Sequence, residues 1–294
     1  MTRLGNIDYL TDSLAIRRRK LQQRIHLHDH PLTELVLVMS GRCKHLLDGD
    51  AFPVQAGDVF VISPGMCHGY ADTEELVIAN LMFDLDGLGV SRLDLDGLPG
   101  YHALFTFEPR LRRQSQFNAR LHLSLKRLAE IDGMAAEIER EVLEPGPGSL
   151  FAAVGSLMRI IVALSREYSL QRHAESLGML RLGDTLSHIE ARFREPLAVA
   201  ELANVAHVSE RTLFRVFREV LGCSPLEYVL RLRLRRASEL LRDTDWKLDE
   251  IADRVGFSDG GYLSRQFRKH FRIAPSAYRQ AAQSFPPELP GVRQ

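Results

Sequence analysis

The sequence predicts an α+β protein in which a small β-barrel, a helical segment and an all-helical domain follow one another along 294 residues. Three patterns predict this fold class. Short β-type runs separated by glycine-containing turns extend to about Phe83, two amphipathic helical stripes follow, and the last third repeats one helical unit. A chain of this length can form two domains, each with its own core.

The N-terminal part alternates between β-type runs and turns. Leu35–Met39 is followed by Ser40-Gly41, which predicts a strand and then a turn. Cys43–Leu47 leads into Asp48-Gly49, and Asp-Gly is a strong short-range signal for a hairpin. Later runs of the same kind are Val59–Ile62 and Leu76–Phe83. Strands this short and this closely spaced predict a small sandwich or barrel.

Two helices are predicted after the barrel. Apolar residues at steps of three or four from Leu121 to Val142 form one amphipathic stripe, and a second runs from Phe151 to about Tyr168. This pair could pack on its own barrel. The predicted domains are residues 1–168, a polar linker at 169–178, an all-helical domain at 179–283 and a tail at 284–294. Residues 181–193 are expected to form the first helix of the all-helical domain.

The C-terminal third contains the same helical unit twice. The motif that begins at Glu201 recurs 49 residues later at Glu250, and the one centred on Leu213 recurs 50 residues later at Leu263. Each copy predicts a short helix, a turn and a second helix. In the first copy Ser209 is a suitable N-cap for the second helix, and a glycine after Leu221 ends it.

The second helix of each copy is expected to carry arginine away from the core. In the first copy Leu213, Phe214, Phe217 and Leu221 are expected to face inward. A helix–turn–helix unit that displays arginine fits the DNA major groove, where one arginine can bond two acceptors of a guanine. A lone arginine would be interpreted as a solvated charge, but the duplication favours DNA. A long helix from Pro225 to about Leu241 connects the copies, and its Ser-Pro-Leu-Glu start is a capping box.

Composition supports a DNA-binding protein of the cytoplasm. The formal net charge is zero, but residues 190–279 hold 17 Lys and Arg against 13 Asp and Glu. DNA binding needs a basic face rather than a basic total. Cys43, Cys67 and Cys223 are scattered, which fits a reduced compartment. No signal peptide or long apolar run is apparent, so the sequence predicts a soluble protein with no membrane partner.

The repeated region resembles the DNA-binding domain of the AraC/XylS family of bacterial transcription regulators. The second copy carries the resemblance most closely, in Asp249–Asp259, Phe267–Phe271, Pro275 and Tyr278. The resemblance covers somewhat more than a quarter of the chain. It implies two helix-turn-helix motifs joined by one long helix, with double-stranded DNA as the partner.

The resemblance also implies DNA contacts at particular residues. Gly260 and Gly261 stand where relatives present polar side chains, so the second copy is expected to specify less sequence. Base contacts are expected from Arg211, Thr212, Arg215, Asp259, Tyr262, Ser264 and Arg265, and phosphate contacts from Arg218, Arg268 and Lys269. In relatives an acidic residue at the position of Glu250 can contact the sigma factor of RNA polymerase.

The barrel resembles the cupin fold in two motifs, His28-x-His30-x₃-Glu34 and Gly57-Asp58 followed by His68. These four side chains, His28, His30, Glu34 and His68, are expected to bind a small polar ligand, with no cofactor. The alternative is a divalent metal at the same four residues, since imidazole and carboxylate suit iron, zinc or manganese. No asparagine follows His68 at the cupin spacing; the next one is Asn80.

Two further segments, Asn6–Leu10 and Gly57–Ile62, make the N-terminal part similar to the rhamnose-responsive branch of the AraC family. A sugar or sugar acid is therefore the expected effector. The resemblance also implies that the two helices after the barrel form the interface of a homodimer, so that residues 1–168 bind ligand and dimerise and residues 179–283 bind DNA. The expected protein is a ligand-controlled regulator of transcription, an activator rather than a repressor, with no enzymatic activity. The alternative is a metal-dependent cupin enzyme fused to a DNA-binding domain.

Overall fold

The computed structural model describes residues 8–47, 49–90, 95–112, 120–171 and 173–284. The chain divides into two compact units, Met1–Asp184 and Thr185–Gln294. Asn6 and Ile7 of the sensor pattern, Asp48 of the predicted hairpin turn, and residues 285–294 of the predicted tail lie outside the described residues. The α+β class is confirmed, because strands occupy the first unit and helices the second.

The first unit is built on one antiparallel sheet. Its strands are β1 Asp8–Thr11, β2 Leu14–Leu21, β3 Ile25–His28, β4 Thr33–Leu47, β5 Asp50–Gln55, β6 Asp58–Ile62, β7 His68–Phe83 and β8 Leu121–His122. Their order is β1-β2-β7-β4-β6-β8, with β3 also on β7 and β5 also on β4. Because β4 and β7 are long, each pairs with different neighbours at its two ends, and the sheet bends over itself.

The bend lies where the sequence predicts a turn. The expected strand, turn and strand over residues 35–47 are instead one strand, β4, whose pairing with β7 shifts register three times between Val38 and Lys44. Gly41 has φ +75°, and a Cβ there would lie 2.3 Å from the carbonyl oxygen of Glu74. Only glycine permits this close approach, and bulges let a strand change direction without ending.

Alternation along the strands separates an inner and an outer face. Val36, Val38, Phe60, Ile62 and Ile78 point inward and belong to the barrel core. The intervening residues are also buried, because helices cover the outer face of β2 and β6. The wide end of the inner face is polar, and the candidate pocket lies there.

A helical segment between β7 and β8 is absent from the sequence prediction. It consists of short turns at Leu95–Gly97, Pro99–Tyr101, His102–Phe107 and Glu108–Leu111. Arg112 ends it fully buried, with Nε donating to Glu108 Oε1 at 2.9 Å and Nη2 donating to the carbonyl oxygen of Val61. The changing helical geometry, including one π-helical turn, leaves no regular apolar period to detect.

Two helices, α1 Leu125–Leu143 and α2 Ser149–Ser169, follow β8. Leu121, which the sequence assigns to the first helical stripe, instead pairs with Val59 in β8. The helices are antiparallel, since Glu137 accepts from Ser156 at 2.6 Å while Arg127 pairs with Glu167 at 2.8 Å near their other ends.

Helix α2 is long and apolar enough to cross a membrane by length and composition, and it is the only such helix in the described part of the chain. This differs from the expectation of no long apolar run. The buried side of α2 packs against α1, and its Ser156, Ser165 and Ser169 hydroxyls are hydrogen-bonded. The apolar residues of α2 therefore serve its packing against α1, and among its described residues large apolar side chains are exposed only near its N-terminal end, at Leu150 and Phe151.

The next helix, α3 Ala174–Arg192, begins inside the predicted linker at residues 169–178 and about seven residues before the predicted start at Arg181. The boundary between the two compact units falls within it, after Asp184. Buried Leu182, Leu186 and Ile189 give it the apolar side that the polar first turns lack. Because the apolar repeat begins only after these polar first turns, the sequence pattern predicts a start that is too late.

The second unit contains the predicted repeat. Its helices are α4 Val199–Ala206, α5 Glu210–Leu221, α6 Pro225–Asp243, α7 Leu248–Val255, α8 Gly260–Phe271 and α9 Pro275–Ser284. Ser209 caps α5 by accepting from Thr212 N at 3.2 Å, and Ser224 caps α6 by accepting from Glu227 N at 3.3 Å. Both caps are as predicted. Helix α6, with 19 residues, is about 28 Å long.

Candidate functional site

Helix α5 has a buried apolar side and an exposed cationic side. Leu213, Val216, Phe217 and Val220 are buried, which leaves positions 211, 214, 215 and 218 on the opposite side at the i, i+3, i+4, i+7 spacing. Arg211, Arg215 and Arg218 are exposed, as predicted. Arg215 is held along the helix by Glu219 at 3.1 Å.

Phe214 is on the exposed side of α5, not in the core as the sequence pattern suggests. Its side chain is 38 % exposed and lies between three arginine positions. Val216 takes the core position instead, because the helical repeat of 3.6 residues carries 213, 216, 217 and 220 to one side. The exposure of this ring was not predicted. Its spacing of three or four residues from the arginines of α5 was the available signal, because residues at that spacing share one side of a helix.

Helix α8 presents fewer side chains. Arg265, Arg268 and Lys269 are exposed and Ser264 is half-buried. Tyr262 is 38 % exposed, and the Arg265 guanidinium lies 5.6 Å from its ring centroid. Gly261 occupies the position that Arg211 holds in the first copy, so one cationic side chain is replaced by exposed backbone.

Asp259 and Gly260 are used by the fold of the second unit. Asp259 is the N-cap of α8, accepting from Tyr262 N at 2.6 Å and from the Ser258 hydroxyl at 2.8 Å. The hydrogen bond from Tyr262 N is the main reason that the pKa of Asp259 lies below its ordinary value. Gly260 is buried, and its N–H donates to Asp249 Oδ1 at 2.8 Å. Gly260 therefore serves packing between α7 and α8.

The remaining predicted positions lie near these two helices. Thr212, on α5, is half-buried, and its hydroxyl is 3.0 Å from that of Ser209. Glu250, in the first turn of α7, accepts from Arg254 at 3.2 Å and is 44 % exposed. An acidic group at this end suits the helix dipole, and its exposure leaves it accessible to another protein.

The predicted ligand residues meet a pocket at the polar end of the barrel. The pocket has a volume of about 260 Å³. His28, His30 and Glu34 line it, whereas His68 is fully buried behind Glu34. Its other lining residues are Arg17, Arg19, Ile25, His26, Leu27, Asn80 and Met82.

His30 and Glu34 form a buried ion pair. His30 Nε2 donates to Glu34 Oε2 at 2.6 Å and its Nδ1 donates to the Leu32 carbonyl oxygen at 2.7 Å. Burial opposes charge on His30, but these hydrogen bonds raise its pKa above the ordinary value. Burial likewise opposes charge on Glu34, yet hydrogen bonds from His30 and His68 hold its pKa well below the ordinary value. The hydrogen bonds between the two groups therefore favour the charged form of each.

The rings of His28 and His68 lie beside this pair in a tilted contact. Their ring centroids are 4.4 Å apart, and His68 Nε2 lies 3.2 Å from Glu34 Oε2. Burial lowers the pKa of His28, so its ring is neutral at pH 7. The arrangement provides a neutral imidazole, a charged imidazole and a carboxylate at one wall of the pocket.

Three of the four residues considered for a metal come together: potential ligand atoms of His30, Glu34 and His68 all lie within 4.8 Å of one another. His28 does not belong to this group. A coordinating nitrogen must be deprotonated, so a divalent cation bound here would replace the proton that His30 Nε2 donates to Glu34. His30 Nδ1 would keep its bond to the Leu32 carbonyl oxygen, which is the usual orientation of a metal-ligating histidine.

Four polar residues of the pocket belong to neither motif and were not predicted: Arg17, Arg19, His26 and Asn80. Arg17 is directly opposite Asn80 in the pairing of β2 with β7, and the Asn80 amide donates to Glu34 Oε1. The run Arg17-Arg18-Arg19 alternates, since Arg18 faces the other way and bonds Asp132 of α1 at 2.6 Å. Strand alternation in Leu14–Leu21 was the available signal.

Comparison with known proteins agrees with both halves of the structure. Residues 10–144 match the family described as an AraC-like ligand binding domain, and residues 202–281 match a helix-turn-helix domain family. The chain is similar to the HTH-type transcriptional activator RhaS of Escherichia coli O6:H1, with 27 % identity over 288 residues that cover 97 % of this chain and 99 % of RhaS.

Two other relatives have the same character. The HTH-type transcriptional activator RhaR of Mannheimia succiniciproducens is 23 % identical over 266 residues, which cover 90 % of this chain and 91 % of RhaR. A solved AraC-type DNA-binding regulator of Chromobacterium violaceum is 39 % identical, covers 37 % of this chain and 95 % of its own, and has a TM-score of 0.34.

These findings do not support the alternative of a cupin enzyme, since the relatives are named as transcription regulators. The similarity to RhaS and RhaR agrees with the expected rhamnose-regulator branch. With an AraC-like ligand binding domain followed by a helix-turn-helix domain, and with RhaS and RhaR similar over nearly their whole lengths, the chain belongs to the AraC family of transcriptional regulators.

Proposed function

We propose that this chain activates transcription by binding two successive major grooves of DNA through α5 and α8, under the control of a sugar or sugar acid in the barrel pocket. The observation that carries the proposal is the pair of capped helices in duplicate units, each with arginine on its exposed side. The names of RhaS and RhaR as activators support activation rather than repression.

The first unit contributes most of the base contacts. On α5, Arg211 and Arg215 are exposed one turn apart, a spacing that lets both reach base edges in one groove. Phe214 between them is suited to the methyl group of thymine, since phenylalanine makes apolar contacts with that group. Thr212 is the fourth base-contacting candidate, and Arg218 at the far end binds phosphate.

The second unit specifies less sequence. Its base contacts come from Tyr262, Ser264 and Arg265, while Arg268 and Lys269 bind phosphate. Asp259 is removed from the base-contacting group, because its carboxylate already accepts from Tyr262 N and Ser258. Helix α6, about 28 Å long, is comparable with one turn of DNA, and such a rod suits successive grooves.

The pocket is the proposed effector site. His28, His30, Glu34 and Asn80 supply donors and acceptors on one wall, and Ile25, Leu27 and Met82 supply apolar surface. A small apolar pocket with a few converging polar groups is the usual form of a small-molecule site. His68 acts from behind by fixing Glu34, without reaching the pocket itself.

Exposed apolar residues on α1 and α2 support a homodimer. Phe151 is 89 % exposed and Leu143 60 % exposed at one end of the helix pair. Large apolar side chains exposed together at one end of a helix pair suit burial against a second copy of the chain. A cytoplasmic location follows from the proposed role, and Glu250 is a proposed contact with RNA polymerase sigma factor.

DNA binding can be tested with two arginine variants on a site selected from random DNA by the full-length protein. Arg215→Ala should weaken binding to the selected site by about 1–3 kcal/mol and relax preference at one base pair. Arg268→Ala should weaken selected and random DNA alike and reduce the salt slope by about 1. Equal effects of both variants on both kinds of DNA would contradict the base-reading role of Arg215.

A further inference from the structure

The pocket wall formed by β2 carries a cation that the hydrogen-bond network of His30 and Glu34 does not use. Arg17 and Arg19 point to the same inner face as Glu34 and Asn80, while Arg18 points to the helices. Arg18 is neutralised by Asp132 at 2.6 Å and Glu139 at 3.3 Å. Within the described residues, Arg19 has no such carboxylate partner.

Arg19 is half-buried at the pocket wall and is not paired with a carboxylate among the described residues. Its partial burial lowers its pKa below the ordinary value, and attraction to Glu34 acts the other way. An anion bound in the pocket would stabilise the charged guanidinium. Glu34 cannot serve as that partner, because His30, His68 and the Asn80 amide already occupy its oxygens.

A second polar group on the same wall of the pocket lacks a hydrogen-bond partner. Asn80 Oδ1 is buried and has no hydrogen-bond partner among the described residues, although its amide donates to Glu34. An acceptor of this kind is satisfied by a hydroxyl group or water. The wall therefore offers a cation for an anionic group and, on the strand opposite, an acceptor for a hydroxyl.

We infer that the effector is a polyhydroxylated carboxylate, a sugar acid rather than a neutral sugar, whose carboxylate binds Arg19. This inference rests on the proposed effector pocket. Arg17 lies on the same face of β2 and lines the approach, and Asn80 Oδ1 accepts from a ligand hydroxyl. Arginine suits this role because its planar guanidinium can bond both oxygens of a carboxylate.

A carboxylate fits better than a phosphate. Glu34 is ionised, since hydrogen bonds from His30 and His68 stabilise its charged form, and it faces the same pocket. A phosphate monoester carries up to two negative charges at pH 7, and a like charge near Glu34 is unfavourable.

The test is binding of matched compounds to the full-length protein by thermal shift and calorimetry. The probes are glucuronate, galacturonate, gluconate and rhamnonate, their neutral parents glucose, galactose and rhamnose, and glucose 6-phosphate. At least one carboxylate should raise the melting temperature while its neutral parent does not, because a ligand that binds the folded state stabilises it. Binding by glucose 6-phosphate alone would overturn the carboxylate assignment.

The variant Arg19→Gln should weaken binding of the active carboxylate at least roughly tenfold, the loss expected for one hydrogen bond to a charged group. Lys20→Gln is the matched control, since it removes a charge from the same strand at an outward, 54 % exposed position. The melting temperature of each variant without ligand checks that it is folded. Equal affinity in Arg19→Gln and wild type would overturn the role of Arg19.

The results also separate the inference from the proposed function. Binding of a neutral sugar, unaffected by Arg19→Gln but lost in Glu34→Gln, would overturn the carboxylate while leaving the effector pocket in place. Binding of no probe of either class would overturn both the carboxylate and the sugar-type effector.

Discussion

Gly260 gives a sharp prediction for the second helix-turn-helix unit. It is the first residue of α8, and a Cβ added there would lie 2.6 Å from Asp249 Oδ1 and 3.1 Å from Asp249 N. Gly261, the next residue, is exposed, and a Cβ there would meet Asp259 Oδ1 at 3.1 Å. We therefore expect Gly260→Ala to destabilise the unit and Gly261→Ala to leave its stability unchanged or higher.

The magnitudes follow from the contacts. Gly260→Ala displaces the Asp249 carboxylate and with it the hydrogen bond from the residue 260 N–H, a loss of about 1.5–3 kcal/mol for a bond to a charged group. Alanine returns at most about 1 kcal/mol over glycine within a helix. The net expectation is a loss of roughly 1–2 kcal/mol. Gly261→Ala should gain up to about 1 kcal/mol, reduced by any shift of the Asp259 carboxylate.

The sole tryptophan makes this measurable in the full chain. Trp246 packs against the core of the second copy, with the Arg254 guanidinium 3.9 Å from its ring centroid. Urea denaturation followed by tryptophan fluorescence therefore reports on this unit rather than on the barrel. The reasoning would be refuted if Gly260→Ala proved as stable as Gly261→Ala, since packing against Asp249 would then be irrelevant.

Three further predictions concern other parts of the chain. Phe214→Ala should cost about 1 kcal/mol on selected DNA that contains thymine at its contact and little elsewhere, without changing stability, because the ring is 38 % exposed. Phe151→Glu should shift the mass in analytical ultracentrifugation from dimer to monomer, because it places a charge on the exposed apolar side of α2. His30→Gln should flatten the dependence of barrel stability on pH. The raised pKa of His30 means that its contribution is complete below its ordinary value of 6.5 and is lost as pH rises through the folded value.

Each of these has a control and an opposing result. Lys126→Glu reverses a charge at the exposed start of α1 and should leave the dimer intact. An unchanged mass for Phe151→Glu would exclude the helix pair from the interface. For His30, melting temperatures between pH 6 and pH 8.5 should fall in wild type but not in His30→Gln, and parallel curves would contradict the ion pair. An unaltered thymine preference in Phe214→Ala would exclude that contact.

The repeated helices were predictable because their signals are local. Caps at Ser209 and Ser224 and the 3.6-residue apolar repeat of α5 depend on residues close in sequence. The prediction for α5 was wrong at Phe214, which was expected in the core. The helix has more apolar residues than its buried side can hold, so one of them is exposed. Which one is exposed depends on the packing of α5 against α4 and α6.

The pocket was predictable only in part. His28, His30 and Glu34 lie within seven residues, so one motif identifies them. Arg19 reaches them from another strand and Asn80 from a third, through pairing across the sheet. The need for glycine at position 41 could not be predicted for the same reason. It arises from the carbonyl oxygen of Glu74, which is close in space but far away in sequence. Contacts of this kind are set by tertiary structure and leave no local pattern.

The most direct test of the account is a hydroxyl-radical footprint of the full-length protein on its selected DNA site. We expect each protomer to protect two segments on one face of the duplex, roughly one helical turn of 10–10.5 base pairs apart. Arg211→Ala should weaken protection of one segment and Arg265→Ala that of the other. A footprint confined to a single groove and insensitive to Arg265→Ala would contradict the claim that both units bind DNA.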